Sequence, residues 1–116
     1  MLCGSGLIIK PYWLDKIFNK EKTWEIRGCN TNKRGRIFLI ASGSGKVYGE
    51  VSLTDSFPMD KEDLRNHSDK HQIEDINIIK YKKPHVWVFD NPTLYEHPKP
   101  YNHPKGAVIW VTINIK

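Results

Sequence analysis

The chain has 116 residues, of which 39% are hydrophobic, and it carries 18 Lys and Arg against 13 Asp and Glu. This length and apolar content suit one folded domain over residues 1–116 and exclude both a second independent core and global disorder. No stretch approaches about 18 consecutive apolar residues and no basic leader precedes one, so we expect a cytoplasmic protein without a membrane segment. Its two cysteines, Cys3 and Cys29, are expected to stay reduced.

The positive charge is concentrated in the first half of the chain. Residues 1–50 hold nine basic side chains against four acidic ones, whereas residues 51–116 hold nine against nine. A concentrated basic surface is what binding to a phosphate backbone requires, and a merely solvated surface is the alternative.

The first half of the sequence predicts four short strands and one helix. Apolar runs or period-two alternation indicate strands over residues 7–9, 23–27, 37–41 and 47–54. Pro11 opens the predicted helix, whose apolar face carries Leu14, Ile17 and Phe18. Gly49, inside the fourth strand, predicts a bulge or a close approach of two backbones.

The second half predicts a short helix and two more strands. Asp60 is placed to cap a helix over residues 60–66, and apolar runs indicate strands over 86–89 and 107–115. Residues 91–106 contain four prolines and are predicted to form an irregular loop. Together these elements indicate an α+β fold, a small mixed β-barrel of five or six strands with one to three peripheral helices.

The segment from Lys22 to Arg27 carries the strongest functional signal. If Trp24 and Ile26 point into the core, strand geometry places Thr23, Glu25 and Arg27 together on the opposite face. Cations that bind phosphate beside a carboxylate that accepts from an amine would suit a nucleotide pocket. The alternative is an exposed strand face with a cross-strand ion pair.

This segment resembles the signature of the ASCH domain, a relative of the PUA-like RNA-binding barrels. The signature is Gly-x-Lys-x-x-Glu-x-Arg after an amphipathic helix, and residues 20–27 match it except that Lys20 replaces the glycine. Further similar runs cover nearly the whole chain, at residues 34–37, 47–51, 85–88 and 106–110. The resemblance implies a PUA-like barrel that binds RNA or a modified nucleotide in a cleft lined by Lys22, Glu25 and Arg27. Lys20 would be strained there if the position requires a positive φ.

Other side chains are weaker candidates for contacts with RNA. The resemblance implies that His71 lies at the rim of the cleft, and Tyr48, Tyr81 and Tyr101 are candidates for stacking on a base because they fall at polar-facing or loop positions. The remaining candidates are polar or basic residues of predicted loops and strand ends: Arg34, Arg36, Ser42 and Lys46.

Catalysis in the same cleft is the competing hypothesis. One branch of the family resembles an amidohydrolase of acetylated cytidine, whose hydroxyl nucleophile occupies the position of Glu25 here. A rearranged site would use Lys22 as base, Thr23 as nucleophile and Glu74 as acid or base, so that Lys22, Thr23, Glu25 and Glu74 are the catalytic candidates.

A ribonuclease would use Lys22 or His71 for proton transfer and Arg27 to stabilise the developing charge. A protein-interaction module with a vestigial cleft is the third possibility. We expect no cofactor and no metal, because no Cys or carboxylate completes a ligand set with His67 and His71.

Overall fold

The computed structural model describes residues 2–115 and contains six strands, three short α-helices and two 3₁₀ turns. The strands are β1 (Leu2–Ile9), β2 (Trp24–Arg27), β3 (Gly35–Ala41), β4 (Lys46–Pro58), β5 (His85–Pro100) and β6 (Trp110–Ile115). The helices are α1 (Pro11–Phe18), α2 (Lys61–Leu64) and α3 (Ser68–His71), and the 3₁₀ turns are Arg65–His67 and Ile76–Ile78. Within residues 2–115, none of the helices is long and apolar enough to cross a bilayer.

All six strands belong to one mixed sheet in the order β2-β5-β4-β3-β1-β6. β1 and β3 are parallel, and every other pair is antiparallel. The barrel-like sheet is open, because its edge strands β2 and β6 do not pair with each other. The predicted α+β architecture is confirmed, with six strands and peripheral helices.

Helix α1 covers the centre of the sheet. Leu14 and Ile17 are buried against the main hydrophobic cluster, while Phe18 is half-buried and packs at its border. A Cβ atom on Gly49 would lie 2.7 Å from the Phe18 ring and only 2.2 Å from the Thr93 carbonyl oxygen. The predicted close approach at Gly49 is confirmed, and the β4–β5 register also shifts there.

The prediction of an irregular loop over residues 91–106 is wrong for most of that range, because β5 continues to Pro100. β2 pairs only with residues 85–88 of β5, so beyond that point the side of β5 away from β4 has no partner strand among residues 2–115. Prolines are tolerated on such an edge, where a missing N–H interrupts no ladder. β1 and β4 are also longer than predicted, and β6 begins three residues later.

The predicted cap of the second helix is confirmed. The Asp60 carboxylate accepts a hydrogen bond of 2.9 Å from the Asp63 backbone N–H, at the first turn of α2. α2 is shorter than predicted because a 3₁₀ turn and α3 follow it directly. These short elements bring residues 71–81 back over β2.

The end of α1 is closed by a Schellman motif that has lysine where glycine is usual. The Lys20 N–H bonds to the Ile17 carbonyl and the Glu21 N–H to the Lys16 carbonyl, each at 3.0 Å. Lys20 adopts a φ of 64°, so this position does require the positive φ under which strain was expected. A side chain at positive φ is strained, and this turn delivers Lys22 to the start of β2.

We predict that Lys20→Gly stabilises the protein by about 1 kcal/mol, since glycine adopts a positive φ without steric cost. Urea denaturation followed by circular dichroism measures the change. Lys20→Ala is the matched control and should leave the free energy of unfolding nearly unchanged, because it removes the side chain but keeps the Cβ atom. A stabilisation of equal size in both variants would contradict the backbone explanation.

Candidate functional site

A cavity of about 460 Å³ opens beside β2. It is bounded by the end of β1, the start of α1 and the segment 73–81. Most of the side chains in its wall are apolar. Its volume lies within the range of roughly 300–1,000 Å³ that is usual for small-molecule sites.

The floor of the cavity is a charged triad of Lys22, Glu25 and Arg27. Arg27 donates from Nε and Nη2 to Glu25 Oε2, at 3.1 and 2.9 Å. The Lys22 ammonium lies 3.7 Å from Glu25 Oε1. All three side chains line the cavity, so the predicted grouping of these three residues is present in the structure.

β2 is covered on both faces, which the alternation did not predict. Trp24 and Ile26 are buried as expected, but Glu25 is only 6% exposed. Thr23 precedes the strand, is exposed, and lines a separate cavity of about 200 Å³ beside Asn91. Thr23 therefore does not join Glu25 and Arg27 in the cavity as predicted, although its carbonyl still accepts a hydrogen bond from the Phe89 N–H of β5.

The Lys22 ammonium is almost entirely buried, with 1% of the residue exposed. Nζ donates to the His71 carbonyl oxygen at 2.6 Å and lies 4.5 Å from the centre of the Trp13 ring. Burial lowers the pKa of Lys22 to about 8, although the charge of Glu25 acts in the opposite direction. Lys22 thus exchanges its proton close to neutral pH.

His71 was predicted to lie at the rim of the cavity, and this prediction is wrong. Its side chain is completely buried, with Nε2 bonded to the Leu64 carbonyl at 2.7 Å and Nδ1 accepting from the Ile73 N–H at 2.9 Å. These bonds require the neutral ring with its proton on Nε2, and burial lowers the pKa of His71 in the same sense. Both ring nitrogens are occupied, and His71 acts on the cavity only through its carbonyl oxygen.

The basic candidates of the β3–β4 region lie away from the triad. Arg36 bonds to Glu50, to the Asn91 carbonyl at 2.6 Å and to the Thr93 hydroxyl at 3.0 Å. Arg34 lies 3.9 Å from the Asp55 carboxylate. Neither lines the cavity, and Lys46 is exposed at the far end of β4. The basic excess of the first half of the sequence is therefore dispersed.

The remaining candidates lie on several separate surfaces. Ser42 lines the cavity and also borders a groove of about 550 Å³ that contains Tyr48. Tyr101 borders another depression near the end of β6. Glu74 is exposed and does not line the cavity, so the structure does not assemble Lys22, Thr23 and Glu74 into one catalytic site.

The sequence analysis missed several residues of the cavity. Lys10 and Lys80 lie at its mouth, and with Lys22 and Arg27 they make four cations against the single carboxylate of Glu25, an excess of three positive charges. Tyr81, named only as a stacking candidate, lines the mouth and is 45% exposed. The run Lys80-Tyr81-Lys82-Lys83 could have indicated a basic, aromatic surface. It was overlooked because it lies in the second half of the chain, where basic and acidic side chains are equal in number.

Comparison with known proteins gives a family match and a shared fold. The ASCH domain family model matches residues 7–107. The crystal structure of ASCH from Zymomonas mobilis is similar with a TM-score of 0.74 at 13% identity, over 95% of this chain and 87% of that chain. A serine-to-alanine and a tyrosine-to-phenylalanine variant of the same protein give the same TM-score and identity. None of the curated proteins compared with the chain matches it.

We predict that the buried Lys22 makes the free energy of unfolding increase with pH in the alkaline range. The folded protein releases the Lys22 proton from about pH 8 but the unfolded chain only near 10.5, so the unfolded chain binds more protons between these values and stability rises with pH. From about pH 8 to about pH 9.5 the free energy of unfolding should rise by about 1.5 kcal/mol relative to Lys22→Met. Urea denaturation at each pH measures this difference.

Lys46→Met is the matched control for this experiment, since Lys46 is exposed on β4. It should follow the pH dependence of the wild-type protein. Parallel curves for the wild type and Lys22→Met would contradict the buried, proton-releasing state of Lys22.

Proposed function

Because the chain belongs to the ASCH domain family, whose model spans residues 7–107, we propose that its cavity binds a nucleotide of RNA. The observation that carries this proposal is the charged triad at the floor of a cavity that also has apolar walls and a cationic mouth. The nucleotide is single-stranded or extruded, since a base inside a duplex could not reach the floor. The cytosolic location predicted from the sequence is part of this proposal.

The floor offers complementary partners to the edge of a base. Glu25 Oε1 has only the Lys22 ammonium near it, at 3.7 Å and beyond hydrogen-bond distance. Glu25 lines the cavity, and both hydrogen bonds that Arg27 donates to its carboxylate go to Oε2, which leaves Oε1 for a ligand. An open carboxylate oxygen accepts from an exocyclic amine, and the adjacent guanidinium of Arg27 donates to a ring nitrogen or carbonyl.

The walls and mouth suit the rest of a nucleotide. Trp13 is half-buried in the wall, and stacking on such a ring stabilises a bound base by about 1–3 kcal/mol. Lys10 and Lys80 are positioned at the opening, where a phosphate would lie. The base and the phosphate therefore each have a chemically matched part of the cavity.

We predict that Arg27→Gln weakens binding of a single-stranded oligoribonucleotide about tenfold and leaves the slope of log affinity against log salt unchanged, because the proposed contact of Arg27 is with the base and not with a phosphate. Glutamine keeps a donor for Glu25 and limits the damage to the fold. Fluorescence anisotropy at several salt concentrations measures both quantities. Arg34→Gln, which is outside the cavity, is the control and should change neither quantity. An unchanged affinity in Arg27→Gln would contradict the proposal.

A hydrolase in the same cavity is the second candidate, and the lowered pKa of Lys22 favours it. At neutral pH, an amine whose pKa lies near 8 is unprotonated, and so able to accept a proton, far more often than an ordinary lysine. It could activate a water that adds to the acyl carbon of an acylated base amine, after which the carbon–nitrogen bond breaks and the amine leaves with a proton. A ribonuclease would depend on Lys22 and Arg27 alone, because His71 does not line the cavity and both of its ring nitrogens are already bonded.

If the protein is such a hydrolase, incubation with acetylated cytidine should yield cytidine, detected by liquid chromatography. Lys22→Met should abolish the product, because the base is lost. Thr23→Ala should retain it, because Thr23 lies outside the cavity. Absence of cytidine at high protein concentration would remove the hydrolase for this substrate.

A further inference from the structure

Three unpaired lysines and a tyrosine form a strip at the mouth of the cavity. Lys80, Tyr81, Lys82 and Lys83 are all exposed, and Lys80 and Tyr81 line the opening itself. Among the ion pairs of residues 2–115, none involves these lysines. Their charge is therefore not neutralised by the protein and is available to an anionic ligand.

The Tyr81 ring rests on the bare backbone of Gly28, the residue that follows β2. A Cβ atom on Gly28 would lie 2.6 Å from Tyr81 Cδ1 and 3.1 Å from both Cγ and Cε1, so only glycine allows this contact. The ring is supported from below and 45% exposed above. A ring that is already fixed loses little conformational freedom when a base stacks on it.

The apolar surface around Tyr81 is also open. Ile78 is 55% exposed and Val108 is 74% exposed, and both line the cavity beside Tyr81. Flat apolar surface next to an aromatic ring suits the face of a base or a ribose. Lysines at the border of this surface suit the phosphates that join one nucleotide to the next.

We propose that this mouth platform, formed by Gly28, Tyr81, Lys82 and Lys83, binds the nucleotide adjacent to the one in the cavity. The ligand is then single-stranded RNA of at least two nucleotides and not a free mononucleotide. The inference rests on the proposed function, because it assigns the second nucleotide relative to the first. Lys82 and Lys83 do not line the cavity, so a mononucleotide that fills the cavity leaves them without a partner.

The test compares a nucleoside monophosphate with a single-stranded hexaribonucleotide of the same base by isothermal titration calorimetry. The wild-type protein should bind the hexamer at least tenfold more tightly, as expected from about one additional stacked base. Tyr81→Leu and Gly28→Ala should each remove about tenfold of hexamer affinity and leave monophosphate affinity unchanged. Tyr81→Phe keeps the ring and should retain the wild-type ratio.

Gly28 has no positive φ, so alanine there displaces the Tyr81 ring without straining the backbone, and thermal unfolding verifies that the variant is folded. The double variant Lys82→Gln with Lys83→Gln should lower the salt slope for the hexamer by about 1.4. Lys46→Gln with Lys99→Gln, at the far end of the β4–β5 pair, is the matched control and should leave the slope unchanged.

Equal affinities of the wild type for the two ligands would overturn the mouth platform and leave the cavity site in place. A hexamer preference that persists in Tyr81→Leu and Gly28→Ala would also overturn it, because the additional affinity would then arise elsewhere on the protein. If the wild type binds neither ligand, the proposed function fails and the platform fails with it.

Discussion

A buried carboxylate held between two cations is the constraint on which the rest of the structure depends. Glu25 lies within reach of Arg27 and Lys22, and an unpaired charge at this depth would cost several kcal/mol. Distant parts of the chain complete the arrangement, since the Ile8 carbonyl accepts from Arg27 and the His71 carbonyl accepts from Lys22. Strand β1, the end of α1, β2 and α3 must all be in place before the triad is satisfied.

The triad is not a simple stabilising device. Burial lowers the pKa of Lys22, which means that the fold gives up free energy at neutral pH in order to keep an ammonium group there. Apolar residues of similar volume would often be as stable or more so. A charged floor that costs stability in this way supports the proposal that the cavity binds a ligand.

The cavity is built by irregular segments on a regular sheet. The sheet positions β2, while the segment 71–81, with only short helical pieces, supplies one wall and the mouth. His71 ties this segment down through bonds from both ring nitrogens to backbone groups. Loops held by a rigid scaffold commonly carry binding residues, and here the exposed lysines and Tyr81 lie on such a loop.

The sequence by itself determined most of the strands and helices and the grouping of three charged side chains, because both depend on local pattern: the Asp60 cap, the close approach at Gly49, and the spacing that places Lys22, Glu25 and Arg27 together. Only the tertiary structure decided which groups are buried or already bonded. Arg36 is hydrogen-bonded to partners up to 57 residues away in sequence, and His71 is buried. β5 remains a strand despite its prolines because one of its edges is unpaired there. Periodicity describes which way a side chain points along its own strand, whereas burial and pairing depend on segments far away in sequence, so the mouth of the cavity became visible only in three dimensions.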